Sequence, residues 1–311
     1  YIDKTVISDF EDKFDCRIIY ETFDSNEIMY TKYMSGNSYD VLVPSEYMIE
    51  RMIKEDLLQP VDKSLIPNLD NINEGILGQS FDLSNNYWVP YFCGNVGILY
   101  DKTVVDEKDL EAGWSILRNT KYKNQIYMYD SERDSFMVAL KALGYSMNTT
   151  KEREINEAYQ WLLEQREEMN PVYVGDESID TMISGVKAMA IMYSGDAAAV
   201  MSENPNMGYY MPKEGTNVWF DGFVISKECK QTKLANEFIN YMISDKVSYK
   251  NTVEVGYLTA NVNAAAQAEK EEFKDISAYG LRTGPNDEVF AYQDNAVKEM
   301  YNSRWTKVKA K

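Results

Sequence analysis

Asp221 stands inside an otherwise apolar stretch, Val218–Ser226 (VWFDGFVIS). A carboxylate there is costly unless something pairs with it. Trp219 lies on the same segment. Other carboxylates and aromatic residues gather where further apolar strands end. Ser45, Glu46 and Tyr47 follow the strand that stops at Pro44. Asp130, Ser131 and Asp134 follow the strand that stops at Tyr129. Tyr193 and Asp196 flank the end of another, and Tyr257 follows Gly256 in a turn. In α/β sheets ligands sit at these strand ends, where helices begin. Arg133 is the one basic residue in the set. Such groups suit an elongated ligand with positive ends and an apolar middle. Carboxylates replace the water around an ammonium with hydrogen bonds of about 1.5–3 kcal/mol each. Ring faces add about 0.5–2 kcal/mol per cation–π contact and cover the methylenes.

Each residue also has a purely structural role open to it. Ser45 is placed to N-cap a helix. Asp130 and Asp134, four apart, would favour a helix start through the dipole. Tyr193 and Trp219 fit a core. Asp221 is the hardest to assign to structure alone.

Much other chemistry is excluded. The chain has no histidine, which removes Ser-His-Asp and Cys-His mechanisms and every His-ligated metal site. Cys16, Cys93 and Cys229 are odd in number and far apart, so they form neither a disulfide framework nor a zinc site. Buried free thiols are expected. Tyr209-Tyr210 raises ferric iron as an alternative, and paired carboxylates raise glycoside hydrolysis. Asn148-Thr149-Thr150 matches a glycosylation acceptor.

The elements that must position these residues alternate between strands and amphipathic helices, the pattern of an α/β fold. Residues 17–22 (RIIYET) read as a strand, and Ser25 then caps a helix with Ile28, Met29 and Tyr33. Residues 39–44 form a buried strand ending at proline; behind it Met48, Ile49, Met52 and Ile53 make a helical apolar stripe. Residues 89–101 and 218–226 are extended and long enough to cross between lobes. Residues 125–129 and 188–193 are strands. Helices are expected over Glu152–Met169 (seam Ile155, Tyr159, Leu162, Leu163), over 233–244, and in the tail from Phe290. Two crossings without a linker imply two lobes joined by a hinge.

At 311 residues the chain is long enough for two lobes with their own cores. Its formal net charge of −18 repels nucleic acid and anionic lipid surfaces and attracts cations. No apolar run reaches bilayer-spanning length. Tyr1-Ile2-Asp3-Lys4 lacks the marks of a signal peptide, so the chain is cytosolic or a targeting segment has been removed.

Several segments carry a family resemblance: residues 39–73 (YDVLVPSEYMIERMIKEDLLQPVDKSLIPNLDNIN) most strongly, with 22–27 (TFDSNE), 130–150, 192–196 (MYSGD), 211–221 (MPKEGTNVWFD) and 255–261 (VGYLTAN). Over nearly its whole length the chain resembles the spermidine/putrescine-binding proteins of ABC importers, within the type II periplasmic binding protein class. The resemblance implies two lobes, each a mixed sheet flanked by helices: 1–96 with 222–267, and 97–221 with 268–311. It implies capture of a polyamine between them and delivery to ABC permease subunits, with no enzymatic activity, cofactor or metal. Ser45, Tyr47, Asp134, Tyr193, Trp219, Asp221 and Tyr257 are the expected ligand contacts. Tyr1, Asp130, Ser131 and Asp196 form a second rank. The family opens with a strand ending Asn-Trp-x-x-Tyr-Ile; this chain begins at the Tyr-Ile, so that strand and its stacking Trp are expected to be missing. A polar contact of some relatives falls near Phe290. The protein is then extracytoplasmic, tethered to the membrane only through a removed or fused segment. A polyamine-sensing domain for a signalling partner is the alternative.

Overall fold

The structure, a computed structural model, describes residues 1–23, 25–175 and 177–310. Among them nine strands are found: β1 Val41–Leu42, β2 Leu58–Gln59, β3 Trp88–Asp101, β4 Ile126–Tyr129, β5 Val172–Val174, β6 Met189–Tyr193, β7 Met207–Tyr210, β8 Val218–Ser226 and β9 Leu258–Thr259. The chain divides into two compact units. Unit 1 is Tyr1–Cys93 with Trp219–Lys274; unit 2 is Gly94–Val218 with Asp275–Lys311. The divisions fall inside β3, at the start of β8 and after Lys274. The sequence reading divides the chain at 96/97, 221/222 and 267/268, which places Trp219 and Asp221 in lobe 2; by the contacts of the structure both lie in unit 1.

In unit 1, β1 and β2 pair antiparallel with β8 (Val41 opposite Ile225, Leu58 opposite Ser226), and β9 pairs antiparallel with β3. β8 lies beside β3. Gly222 permits that approach: a Cβ there would sit 2.5 Å from the Trp88 ring. Helices Lys4–Phe14, Asn26–Met34, Glu46–Lys54, Thr232–Met242, Asp245–Val255 and Val262–Glu271 flank the sheet. Three starts are capped as short polar side chains allow: Asp3 accepts from the Thr5 N–H, Ser25 from the Ile28 N–H and Asn261 from the Ala264 N–H. Gly256, at φ 84°, ends the helix before Tyr257. Val6, Phe10, Met48, Ile49, Met52 and Trp88 are buried; Ile53 lies at the margin of the expected stripe.

Residues 17–22 do not form a strand. Ile19 is 91% exposed and Tyr20 49%. The Ile18 N–H, which a ladder would use, donates to the Glu11 carboxylate at 2.6 Å. The β-branched composition is right, but a strand needs a neighbour to pair with, and this segment pairs with none among the described residues.

In unit 2, the far half of β3 pairs antiparallel with β6 and β7, while β4 runs parallel to both β6 and β5. The sheet is therefore mixed. Every residue of β3 before Asp101 is buried, which explains its continuous apolar run. Helix Glu132–Ala142 is buried on all sides from Asp134 through Lys141, with Phe136, Ala139 and Leu140 in the core. In Glu152–Met169 the buried seam is Ile155, Ala158, Leu162 and Leu163, with Tyr159 half-buried. The last helix is Asn295–Ala310, starting later than the expected Phe290.

Candidate functional site

Asp221 is the centre of a cluster in unit 1. It lies in β8 opposite Ser45, and the two form an antiparallel bridge. Ser45 occupies the N-cap position of helix Glu46–Lys54 but makes no capping hydrogen bond. Its hydroxyl instead donates to Asp221 Oδ1 at 2.7 Å. The Tyr1 hydroxyl donates to Asp221 Oδ2. Asn26 fixes this arrangement from below. Its amide N–H donates to Ser45 Oγ at 3.1 Å and to the Tyr47 oxygen at 3.2 Å, and its carbonyl accepts from the Ser45 backbone at 3.1 Å. Tyr47 donates in turn to the Glu27 carboxylate at 3.3 Å. Glu46, only 1% exposed, accepts from the Phe220 N–H at 3.0 Å and latches the helix start to β8.

Tyr1, which holds the carboxylate, belongs to a cluster of aromatic rings. The Tyr257 ring meets Trp219 at 5.1 Å and 69°, and Tyr1 at 5.9 Å and 72°. Tyr1 also meets Phe92 edge-on at 5.2 Å. Burial holds the Asp221 carboxyl above the ordinary carboxylate range, against the Tyr1 and Ser45 hydrogen bonds that pull it down. The same burial, reinforced by the Asp221 charge, pushes the Cys93 thiol up and leaves it unreactive. Among the described residues no Lys or Arg pairs with Asp221.

Unit 2 carries a second cluster, built on the ends of β4 and β6. Ser131 caps helix Glu132–Ala142 by accepting from the Asp134 N–H at 3.4 Å. Asp134 then turns inward and is 4% exposed. Its Oδ2 accepts from the Tyr193 hydroxyl at 3.0 Å. Its Oδ1 is buried and has no hydrogen-bond partner among the described residues. A helix-dipole role does not require such burial; an oxygen left open at this cost awaits a donor. Burial raises the Asp134 carboxyl, with the Ser131 and Tyr193 hydrogen bonds opposing it. Tyr193 stacks on Tyr129 at 4.9 Å and 30°, and its N–H donates to the Tyr129 oxygen at 2.9 Å.

The expected contacts thus fall into two sets. Tyr1, Ser45, Tyr47, Trp219, Asp221 and Tyr257 belong to unit 1; Ser131, Asp134 and Tyr193 belong to unit 2. Asp130 is exposed and ion-paired with Lys309, and Asp196 lies in the first turn of helix Ser194–Glu203. Phe290, near which the polar contact of some relatives falls, is itself buried. Asn26, Glu27 and Tyr129 were not anticipated. Asn26 directly follows the N-cap Ser25, and that placement was the available signal. The Tyr209 hydroxyl donates to the carbonyls of Asn95 and Met192, and burial raises its pKa well above the ordinary value. That disfavours the phenolate an iron site needs. The Asn148 side chain is engaged with the backbone at Val289 and Ala291.

The model of the bacterial extracellular solute-binding protein family matches residues 5–279. A spermidine/putrescine-binding periplasmic protein from Salmonella typhimurium is 31% identical over 285 residues, covering 90% of this chain and 80% of that one. Two solved structures are similar throughout. One, from Listeria monocytogenes and described as a spermidine/putrescine ABC transporter, has a TM-score of 0.89 and 35% identity, and covers 99% of this chain and 96% of that one. The other is a spermidine/putrescine ABC transporter substrate-binding protein from Streptococcus pneumoniae. It has a TM-score of 0.84 and 35% identity, and covers 100% of this chain and 96% of that one.

Proposed function

Because the chain belongs to the bacterial extracellular solute-binding protein family, we propose that it captures a polyamine, spermidine or putrescine, and delivers it to the permease subunits of an ABC importer. It is a binding protein and not an enzyme, as its relatives are. It acts outside the cytoplasm. Among the described residues no helix is long and apolar enough to cross a membrane.

The observation that carries this reading is a pair of carboxylates, Asp221 and Asp134, each set against aromatic rings and neither ion-paired among the described residues. An alkylammonium group has three N–H donors and one positive charge. It satisfies the open oxygen of Asp134 and neutralises either acid. Asp221 takes one ammonium, and Ser45 and Tyr1 hold its carboxylate in place. Asp134 takes another, with Tyr193 aligning it. Trp219, Tyr257 and Tyr193 supply ring faces for the methylenes and for cation–π attraction of about 0.5–2 kcal/mol each. Sugar acids and phosphates are excluded by charge. The sensing alternative finds no support among the relatives.

Calorimetry with putrescine, cadaverine, spermidine and spermine tests the reading. At least one is expected to bind. Asp221→Asn keeps the shape but removes the charge opposite a desolvated ammonium, and is expected to weaken binding more than about tenfold. Failure of all four amines would overturn the proposal, and unchanged affinity in the variant would remove Asp221 from it.

A further inference from the structure

The ends of β5, β4 and β6 lie side by side in the unit 2 sheet and point the same way. Asp134 and Tyr193 occupy the β4/β6 side. A second cluster occupies the β4/β5 side. Asp130, the residue after β4, is ion-paired with Lys309 near the end of helix Asn295–Ala310, with Nζ 2.5 Å from Oδ2. The same ammonium lies 5.1 Å from the centre of the Tyr173 ring and 5.9 Å from that of Trp305. These rings meet edge to face at 5.4 Å and 85°. The Tyr173 hydroxyl oxygen is buried without a hydrogen-bond partner among the described residues. A carboxylate and two ring faces around a primary ammonium repeat the chemistry of the Asp134 cluster, here filled by a lysine of the chain itself.

We propose that Asp130, Tyr173 and Trp305 form a second alkylammonium subsite, and that Lys309, by occupying it, restricts how many amino groups of a ligand unit 2 engages. The inference rests on the polyamine reading and deepens it to a preference between ligands. Asp130 directly follows β4 and Asp134 lies four residues on, in the first turn of the helix that β4 leads into, so both acids belong to the same strand end. With Lys309 in place the Asp130 charge is neutralised, and the edge offers one open carboxylate, suited to one end of a diamine. With Lys309 uncharged it offers two, matching consecutive nitrogens of a triamine. The pair is displaceable rather than locked: the Lys309 and Asp130 side chains are 33% and 49% exposed, and exposed ion pairs are weak.

Calorimetry of putrescine and spermidine with one preparation of each variant reads the ratio of the two affinities, in which any loss of folded protein cancels. Lys309→Met, which keeps most of the stem and removes the charge, is expected to raise the spermidine-to-putrescine ratio about fivefold. Lys309→Arg is expected to keep the parent ratio. Combining Lys309→Met with Asp130→Asn is expected to return it. An unchanged ratio in Lys309→Met, or a rise that persists when Asp130 is also replaced, overturns the subsite and leaves the polyamine reading standing. A parent protein that binds neither amine overturns both.

Discussion

Desolvation lifts the carboxyl groups of Asp134 and Asp221 above the ordinary carboxylate range. Each then has a higher pKa folded than unfolded. Protonation of these two groups therefore stabilises the empty protein, fully so below the unfolded values, and that contribution is lost as pH rises through the folded ones. A bound ammonium inverts the preference, since it interacts favourably only with the ionised acids. Affinity is expected to rise as pH climbs above the ordinary carboxylate range and both acids ionise. Near the raised values, binding should release protons. Polyamine titrations in buffers of different ionisation enthalpy read that release directly, and melting curves should show a larger ligand-induced rise in Tm at neutral than at acid pH. A heat independent of buffer across this range would contradict the placing of the ammonium groups on these acids.

Elements hold the two acids in place through close backbone approaches that few side chains tolerate. β8 carries Trp219 and Asp221 and leans on β3 at Gly222, where a Cβ would lie 2.5 Å from the Trp88 ring and 2.8 Å from the Val89 carbonyl oxygen. Trp88 is fully buried and has nowhere to retreat. Gly222→Ala is therefore expected to overpack this contact, costing about 1–3 kcal/mol in stability. It should also weaken polyamine binding, because Asp221 is the adjacent residue. Thermal melting and calorimetry of the same variant measure both effects, and full stability with full affinity would show that β8 has slack there. The buried Glu46 carboxylate on the Phe220 N–H keeps the helix start that bears Ser45 and Tyr47 in register with the same strand.

For the molecule as a whole, a net charge of −18 surrounds these clusters. Its field draws small cations in and is screened over roughly 10 Å at 0.1 M salt. Association of a polyamine is expected to slow as salt is added, with dissociation changing less, because steering acts before contact while the buried pairs act after it. Stopped-flow tryptophan fluorescence at several salt concentrations separates the two rates. An association rate that ignores salt would show that the surface charge serves only solubility.

The sequence by itself determined the α/β class, the strands β1, β3, β4, β6 and β8, the helices Asn26–Met34, Glu46–Lys54, Glu152–Met169 and Thr232–Met242 with the tail helix, and the acidic and aromatic character of the candidate residues. These follow from local periodicity, from strand ends marked by Pro44, Tyr129 and Tyr193, and from a carboxylate embedded in an apolar strand. For Ser45, residue type and place pointed to a cap, and only the family resemblance implied a contact with ligand. Only the tertiary structure decided what Ser45 touches, because its partner Asp221 is 176 residues away and their pairing depends on β8 lying beside the start of a helix. The tertiary structure likewise decided that residues 17–22 have no strand to pair with, that Asp134 keeps one buried oxygen open, and that Asp130 is matched to Lys309. Pairing, burial and neutralisation are relations between distant segments, and composition along the chain carries no record of which segments meet.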